Sequence, residues 1–272
     1  MRPTVVTAYR WEMRKLLSQK RTYIGVGAAA LLPVLFVSVM AFQNGGPYDA
    51  PLGHNLRHTG IVLALVVLNF ASRFGAQLVT ALVAGDIVAT EDSGGTLKMI
   101  LTRSLRRSQV LAGKALASFT YVLALLAALL TAGLVGGLIA WGFNPVTDLS
   151  RRQLGAGHAL GLAVASIGVF ALPLIAVAAF GIFLSVVTQN SAAAIVGTVV
   201  YALVMEALAG LVHLDFFRHY MLSSQLDAWH GLFQTPIDWT PVIRGVWVSA
   251  VYTAVPLVVA FVVFGRRDVS GE

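Results

Sequence analysis

The sequence predicts an all-α polytopic membrane protein built on six transmembrane helices. Three observations predict it. Only 11% of the 272 residues are charged while 57% are hydrophobic, and the mean hydropathy is +0.80. A soluble domain carries about 25% charge, so too little remains here to coat a folded surface in water. The apolar residues fall in six runs, each long enough to cross a bilayer core of about 30 Å at the helical rise of about 1.5 Å per residue. Strong strand-like alternation is lacking, which disfavours a barrel. The same composition, with no cysteine, excludes a disordered chain and a disulfide scaffold.

The first element, residues 1–22, reads as an amphipathic helix lying in the membrane interface. Val5, Val6, Tyr9, Met13, Leu16 and Leu17 recur at helical spacing, while Arg10, Arg14 and Lys15 lie off that stripe. Trp11 is placed for the headgroup level. Glu12 and the length of this leader argue against a cleaved signal peptide.

A single transmembrane domain, residues 23–264, follows. The first span is 23–42. The second is 61–85 and contains Arg73. The third, 115–141, has no charge, and its Gly133, Gly136 and Gly137 suit close helix packing. No charged residue occurs from Gln153 to Met205, a stretch too long for one crossing. The polar cluster Thr188, Gln189, Asn190 and Ser191 divides it into spans at 160–187 and 192–212. The sixth span is 242–264, and a short tail, 265–272, closes the chain. Pro173 and Pro256 are expected to kink their helices. The loop 214–241 is aromatic, with Phe216, Phe217, Tyr220, Trp229, Phe233 and Trp239. It is expected to form an interfacial lid with one or two short helices.

Positive charge orients the spans. Thirteen Lys and Arg residues fall in the leader, the 86–114 loop and the tail, against four in the opposite loops. Both termini are therefore expected in the cytoplasm of a multi-pass cell-membrane protein (inner or plasma membrane). The membrane spans split the basic residues, which disfavours a nucleic-acid partner. Membrane lipid is the expected surrounding. Arg73 and Glu206 are the only charges deep in the spans. Each costs roughly 2.5 kcal/mol or more facing lipid, so each should face protein or water. They form either a structural ion pair or part of a cavity.

The loop 86–114, DIVATEDSGGTLKMILTRSLRRSQVLAGK, is the only substantial cytoplasmic loop. Leu97, Ile100 and Leu101 make a short apolar face after Gly94 and Gly95, and Arg106 and Arg107 follow. Such a helix either docks on a partner or rests on the membrane. Glu91, Gly95-Thr96, Leu97 to Leu101, Arg107 and Gly113-Lys114 resemble the coupling region of ABC type-2 exporter permeases. Ser93 and Ser104 depart from it, standing where an acidic residue and a proline are common. The leader Trp11-Glu12-Met13-Arg14-Lys15-Leu16 resembles the opening helix of the same family, and the layout of the spans is similar along the whole chain.

The resemblance implies a six-span permease with a cytoplasmic coupling helix, paired with a second permease copy or homologue. It implies two copies of a separate ABC ATPase subunit docked near Glu91, Gly95, Thr96, Leu97, Leu101, Arg106, Arg107 and Lys114. ATP and Mg would be bound by that partner, with no cofactor in this chain. The phosphate-binding pattern G-x-x-x-x-G-K-[ST] is missing, since Ala115 follows Gly113-Lys114. No H-E-x-x-H or G-x-S-x-G motif occurs, so no metal ligands or catalytic residues are expected. The expected cargo is amphipathic: lipid-like, a drug or a peptide. An intramembrane enzyme and a membrane assembly factor are the alternatives.

Overall fold

The computed structural model describes residues 4–42, 52–93, 106–211 and 215–266. Helix α1 (Val5–Ser18) leads through an extended Gln19 into α2 (Lys20–Phe42). Helices α3 (Gly60–Arg73), α4 (Gly75–Asp86) and α5 (Ala89–Ser93) follow. Helix α6 (Arg107–Trp141) is separated from α7 (Ala156–Thr188) by a two-stranded antiparallel pair, β1 (Val146–Thr147) and β2 (Gln153–Leu154). Helix α8 (Ser191–Leu211), short α9 (Asp215–Tyr220), a 3-10 segment (Ser223–Phe233) and α10 (Thr240–Arg266) complete the order. Among the described residues, five helices are long and apolar enough to cross a membrane, and α3 with α4, bent by 48°, makes a sixth if the pair is one span. The protein is thus an all-α polytopic membrane protein.

Contacts at the helix ends show that successive spans alternate in direction. At one end the Gly60 N–H donates to the Gly142 carbonyl at 3.0 Å, and Asn144 Nδ2 donates to the His58 carbonyl at 2.7 Å. At the other end Ser191 reaches Asp86, and Arg107 Nη1 donates to the Gly265 carbonyl at 3.2 Å. The second end also carries α1 and the described part of the 86–114 loop, and is called the basic end below.

Helix α7 is the hub, packing against α4, α6, α8, α10 and the 3-10 segment. Its alanine-rich faces let neighbours approach closely, and Ala163, Phe170, Leu174, Ala178 and Ile182 are fully buried. The α3–α6 crossing is closer still. A Cβ on Gly137 would lie 2.5 Å from the Gly60 carbonyl oxygen, and one on Gly133 would lie 2.9 Å from Ala64 Cα. Gly136 faces Val37 of α2 instead. Helix α6 stops at Gly142, whose φ of +72° suits a residue without a Cβ. Helices α7 and α10 run unbroken through Pro173 and Pro256.

The structure adds detail to three expectations. The second span is not one helix, because the backbone breaks at Phe74 (φ −124°, ψ −69°). Helix α1 also packs against the bundle. It buries Ala8, Glu12 and Leu16 and packs against α6. Glycine permits this, since a Cβ on Gly113 would sit 2.6 Å from Ala8 Cβ. Val6, Trp11 and Leu17 stay exposed. The 214–241 loop is more than a surface lid. Its Phe217 and Trp239 are exposed, but Leu226, Trp229 and Phe233 are buried in the bundle. Trp229 meets Phe170 of α7 with ring centroids 6.2 Å apart.

Candidate functional site

Lys114 lies about two turns into α6 and is fully buried. Its ammonium group has three oxygen partners: Glu12 Oε1 at 2.7 Å, Glu91 Oε2 at 2.6 Å and the Ile87 carbonyl at 2.9 Å. Gly113 lets α1 come near enough to deliver Glu12, and the i,i+3 spacing puts Lys15 on the same side of α1. Lys15 Nζ then donates to Glu91 Oε1 at 2.5 Å. The cluster holds two lysines and two glutamates, so its formal charges cancel. That balance matters, because an uncompensated charge out of water costs several kcal/mol.

A second pair flanks the first. Arg21, at the start of α2, bridges to Asp86, at the end of α4. Asp86 also accepts from the hydroxyls of Thr90 and Ser191. Five segments therefore meet at the basic end: α1, α2, the α4–α5 corner, the start of α6 and the start of α8. The arrangement can transmit displacement, because short ionic contacts join helices that are distant in sequence.

The sequence assigned Glu12 and Lys15 to one element and Glu91 and Lys114 to another, and the structure brings all four together. Trp11 and Arg14 lie on the exposed part of α1. Arg106 precedes α6, where its backbone N–H donates to Gln109 Oε1 at 3.0 Å. Arg107 bonds Gly265 in the last turn of α10. Gly95, Thr96, Leu97 and Leu101, with the coupling helix they would form, lie outside the described residues. Arg21 and Asp86 were missed as site residues. The only signal was position, since each is the charge next to an apolar run.

A second ionic cluster lies deeper. Arg73 is thirteen residues into the span from Gly60, about 20 Å at the helical rise. Its Nη1 donates to Glu206 Oε1 of α8 at 2.7 Å, and its Nη2 to Asp227 Oδ1 of the 3-10 segment at 2.5 Å. Arg73 and Glu206 form an ion pair, and Asp227 is its third member. Sequence reasoning missed Asp227 because its segment looked like a surface lid. Beside this cluster the Glu206 Oε2, Trp229 Nε1 and His230 Nε2 atoms are buried without a hydrogen-bond partner among the described residues. No group of three His, Cys, Asp or Glu residues that could hold a metal occurs among the described residues.

Comparison with known proteins adds a family. Residues 29–270 match the family described as "Protein of unknown function (DUF2705)". The chain is also 30% identical over 211 residues to "Uncharacterized protein YhcI" of Bacillus subtilis (strain 168). That alignment covers 71% of this chain and 64% of the relative, so the chain spans less than two thirds of the relative's length.

Proposed function

We propose that this chain, which belongs to the DUF2705 family of proteins of unknown function, is the permease subunit of an ATP-binding-cassette exporter. The basic end and both termini face the cytoplasm, by the charge bias. A separate ABC ATPase, in two copies, docks on the 86–114 loop and supplies the ATP and Mg site. A second permease completes the pathway for an amphipathic, lipid-like, drug or peptide cargo.

One observation carries the reading beyond the sequence resemblance. Lys114 closes the loop, Glu91 precedes its central part, and Glu12 comes from the leader helix; all three meet in one buried cluster. Force applied to the loop therefore has two ionically linked exits, through α4 on one side and α6 on the other. An element that must convert ATPase closure into span movement needs this kind of stiff connection. The net positive charge of the loop suits an acidic groove on the partner.

The experiment is isolation of the full chain from its native membrane in mild detergent. A nucleotide-binding subunit should copurify and hydrolyse ATP. Gly95→Asp and Leu97→Asp, placed in the loop, should release that subunit while the six-span protein remains folded. Purification of the intact complex without any nucleotide-binding subunit, together with full function of Glu91 and Gly95 variants, would overturn the proposal.

A further inference from the structure

Helix α2 packs mainly against α6 and leaves a groove between itself, α4 and α6. The groove has a volume of about 380 Å³ and no polar residue lines it. Small residues make its floor, including Ala28, Ala29, Gly75 and Ala76, while Leu31 and Leu78 form opposing walls. A groove of this kind accepts a flexible apolar chain better than a flat protein face, since neither wall offers a hydrogen bond.

The groove extends toward the basic end. On α2, Lys20, Ile24, Ala28, Leu31 and Leu35 follow one another at three- and four-residue spacing and are all exposed. They form one stripe on the helix. On α4, Leu78 and Leu82 are exposed, and Asp86 lies one turn beyond Leu82. Arg21 bridges to Asp86 across the mouth, and Lys20 is exposed beside it. The first turn of α2 contains no acidic residue. From Lys20 to Leu35 the stripe rises about 22 Å at the helical repeat. One leaflet of hydrocarbon is about 15 Å deep. The basic mouth and the apolar groove are thus spaced like a phosphate headgroup and its acyl chain.

We propose that this groove binds an anionic phospholipid, with one acyl chain between α2 and α4 and the headgroup phosphate on Lys20 and the exposed edge of Arg21. Apolar shape alone would accept any lipid. Lys20 and Arg21 against the single Asp86 leave a net positive charge at the mouth, and that charge selects an anionic headgroup. The bound chain fills the space that α2 leaves, and so completes the packing of a helix that touches the bundle along one side. The inference rests on the six-span fold and does not require the ATPase partner.

Lipid retention by the purified full chain tests it, read by native mass spectrometry. The probes are phosphatidylglycerol and phosphatidylcholine with identical sixteen-carbon chains, and phosphatidylglycerol with six-carbon chains. The wild-type protein should retain long-chain phosphatidylglycerol about tenfold better than long-chain phosphatidylcholine. Lys20→Gln should erase that preference, and Ala28→Phe, which fills the groove, should remove both long-chain lipids. The six-carbon lipid should be lost from every form, because it cannot occupy the groove. Circular dichroism of both variants checks that they are folded. Equal retention of the two headgroups by the wild type would overturn the proposal, as would undiminished retention by a folded Ala28→Phe variant. Loss of a dimer in Ala28→Phe with lipid retained would assign the groove to a second copy of the chain, and overturns it too.

Discussion

Replacing Lys114 with methionine should destabilise the protein by about 3–5 kcal/mol, the range for removing one partner from a buried ion cluster. The structure says where that cost arises. Glu91 keeps a cation, because Lys15 contacts its Oε1 at 2.5 Å. Glu12 keeps none in the cluster, and its side chain is only 10% exposed. The penalty is therefore chiefly that of a stranded Glu12 carboxylate. A second substitution, Glu12→Met, should then return most of the loss, leaving Lys15 and Glu91 as a pair. The coupling between the two positions should reach about 2–3 kcal/mol. Reversible unfolding of the full chain in mixed micelles, followed by circular dichroism, gives the energies. Hydrogen exchange over residues 5–18 gives the location, because α1 should lose protection in the single variant and regain it in the double one. A single-variant loss below about 1 kcal/mol, or a double variant no more stable than the single, would refute the reasoning.

Other perturbations have distinct signatures. Arg73→Met strands two carboxylates and should cost about 3–5 kcal/mol, whereas Asp227→Asn, at a site 41% exposed, should cost nearer 1 kcal/mol; limited proteolysis should show the 223–233 segment opening in the first variant before the second. Gly113→Val should push α1 from α6, since even a Cβ there meets Ala8 Cβ at 2.6 Å, with a cost of about 1–3 kcal/mol and faster exchange confined to α1. Hydrogen bonds from the Thr240 side chain and backbone hold the Asp238 carboxyl below its ordinary value of 3.8 at the start of α10. Its contribution should be present above pH 3.8 and fade as pH falls through the lowered value. Asp238→Asn should remove that acid dependence from the thermal midpoint, and an unchanged pH profile would count against the contact.

The polar turn at Thr188–Ser191 was legible because one charge-free stretch could not be a single crossing, and the chain does reverse there between α7 and α8. The small-residue contact of α6 was legible for a similar reason, since Gly133 and Gly137 lie one turn apart on one face. The fracture at Phe74 was not. Asn69, Ser72 and Gly75 weaken helix propensity around it, but isolated residues of this kind are common inside spans, and only the packed bundle shows that the backbone breaks here. Asp227 was equally hidden. Its neighbours Leu226, Trp229 and Phe233 suit a headgroup layer as well as a protein core, and hydropathy cannot tell the two apart.

The sequence by itself determined the solvent, the number of apolar runs and the concentration of positive charge at one end. These are sums over neighbouring residues, and each residue contributes its transfer energy wherever the chain goes. Only the tertiary structure decided that Lys114 meets Glu12 and Glu91, that Arg73 has two acidic partners, and that α2 leaves a groove beside α4. Those outcomes depend on distances of a few ångströms between segments up to 154 residues apart. Coulomb attraction and van der Waals contact fall away too steeply with distance for spacing along the chain to reveal them.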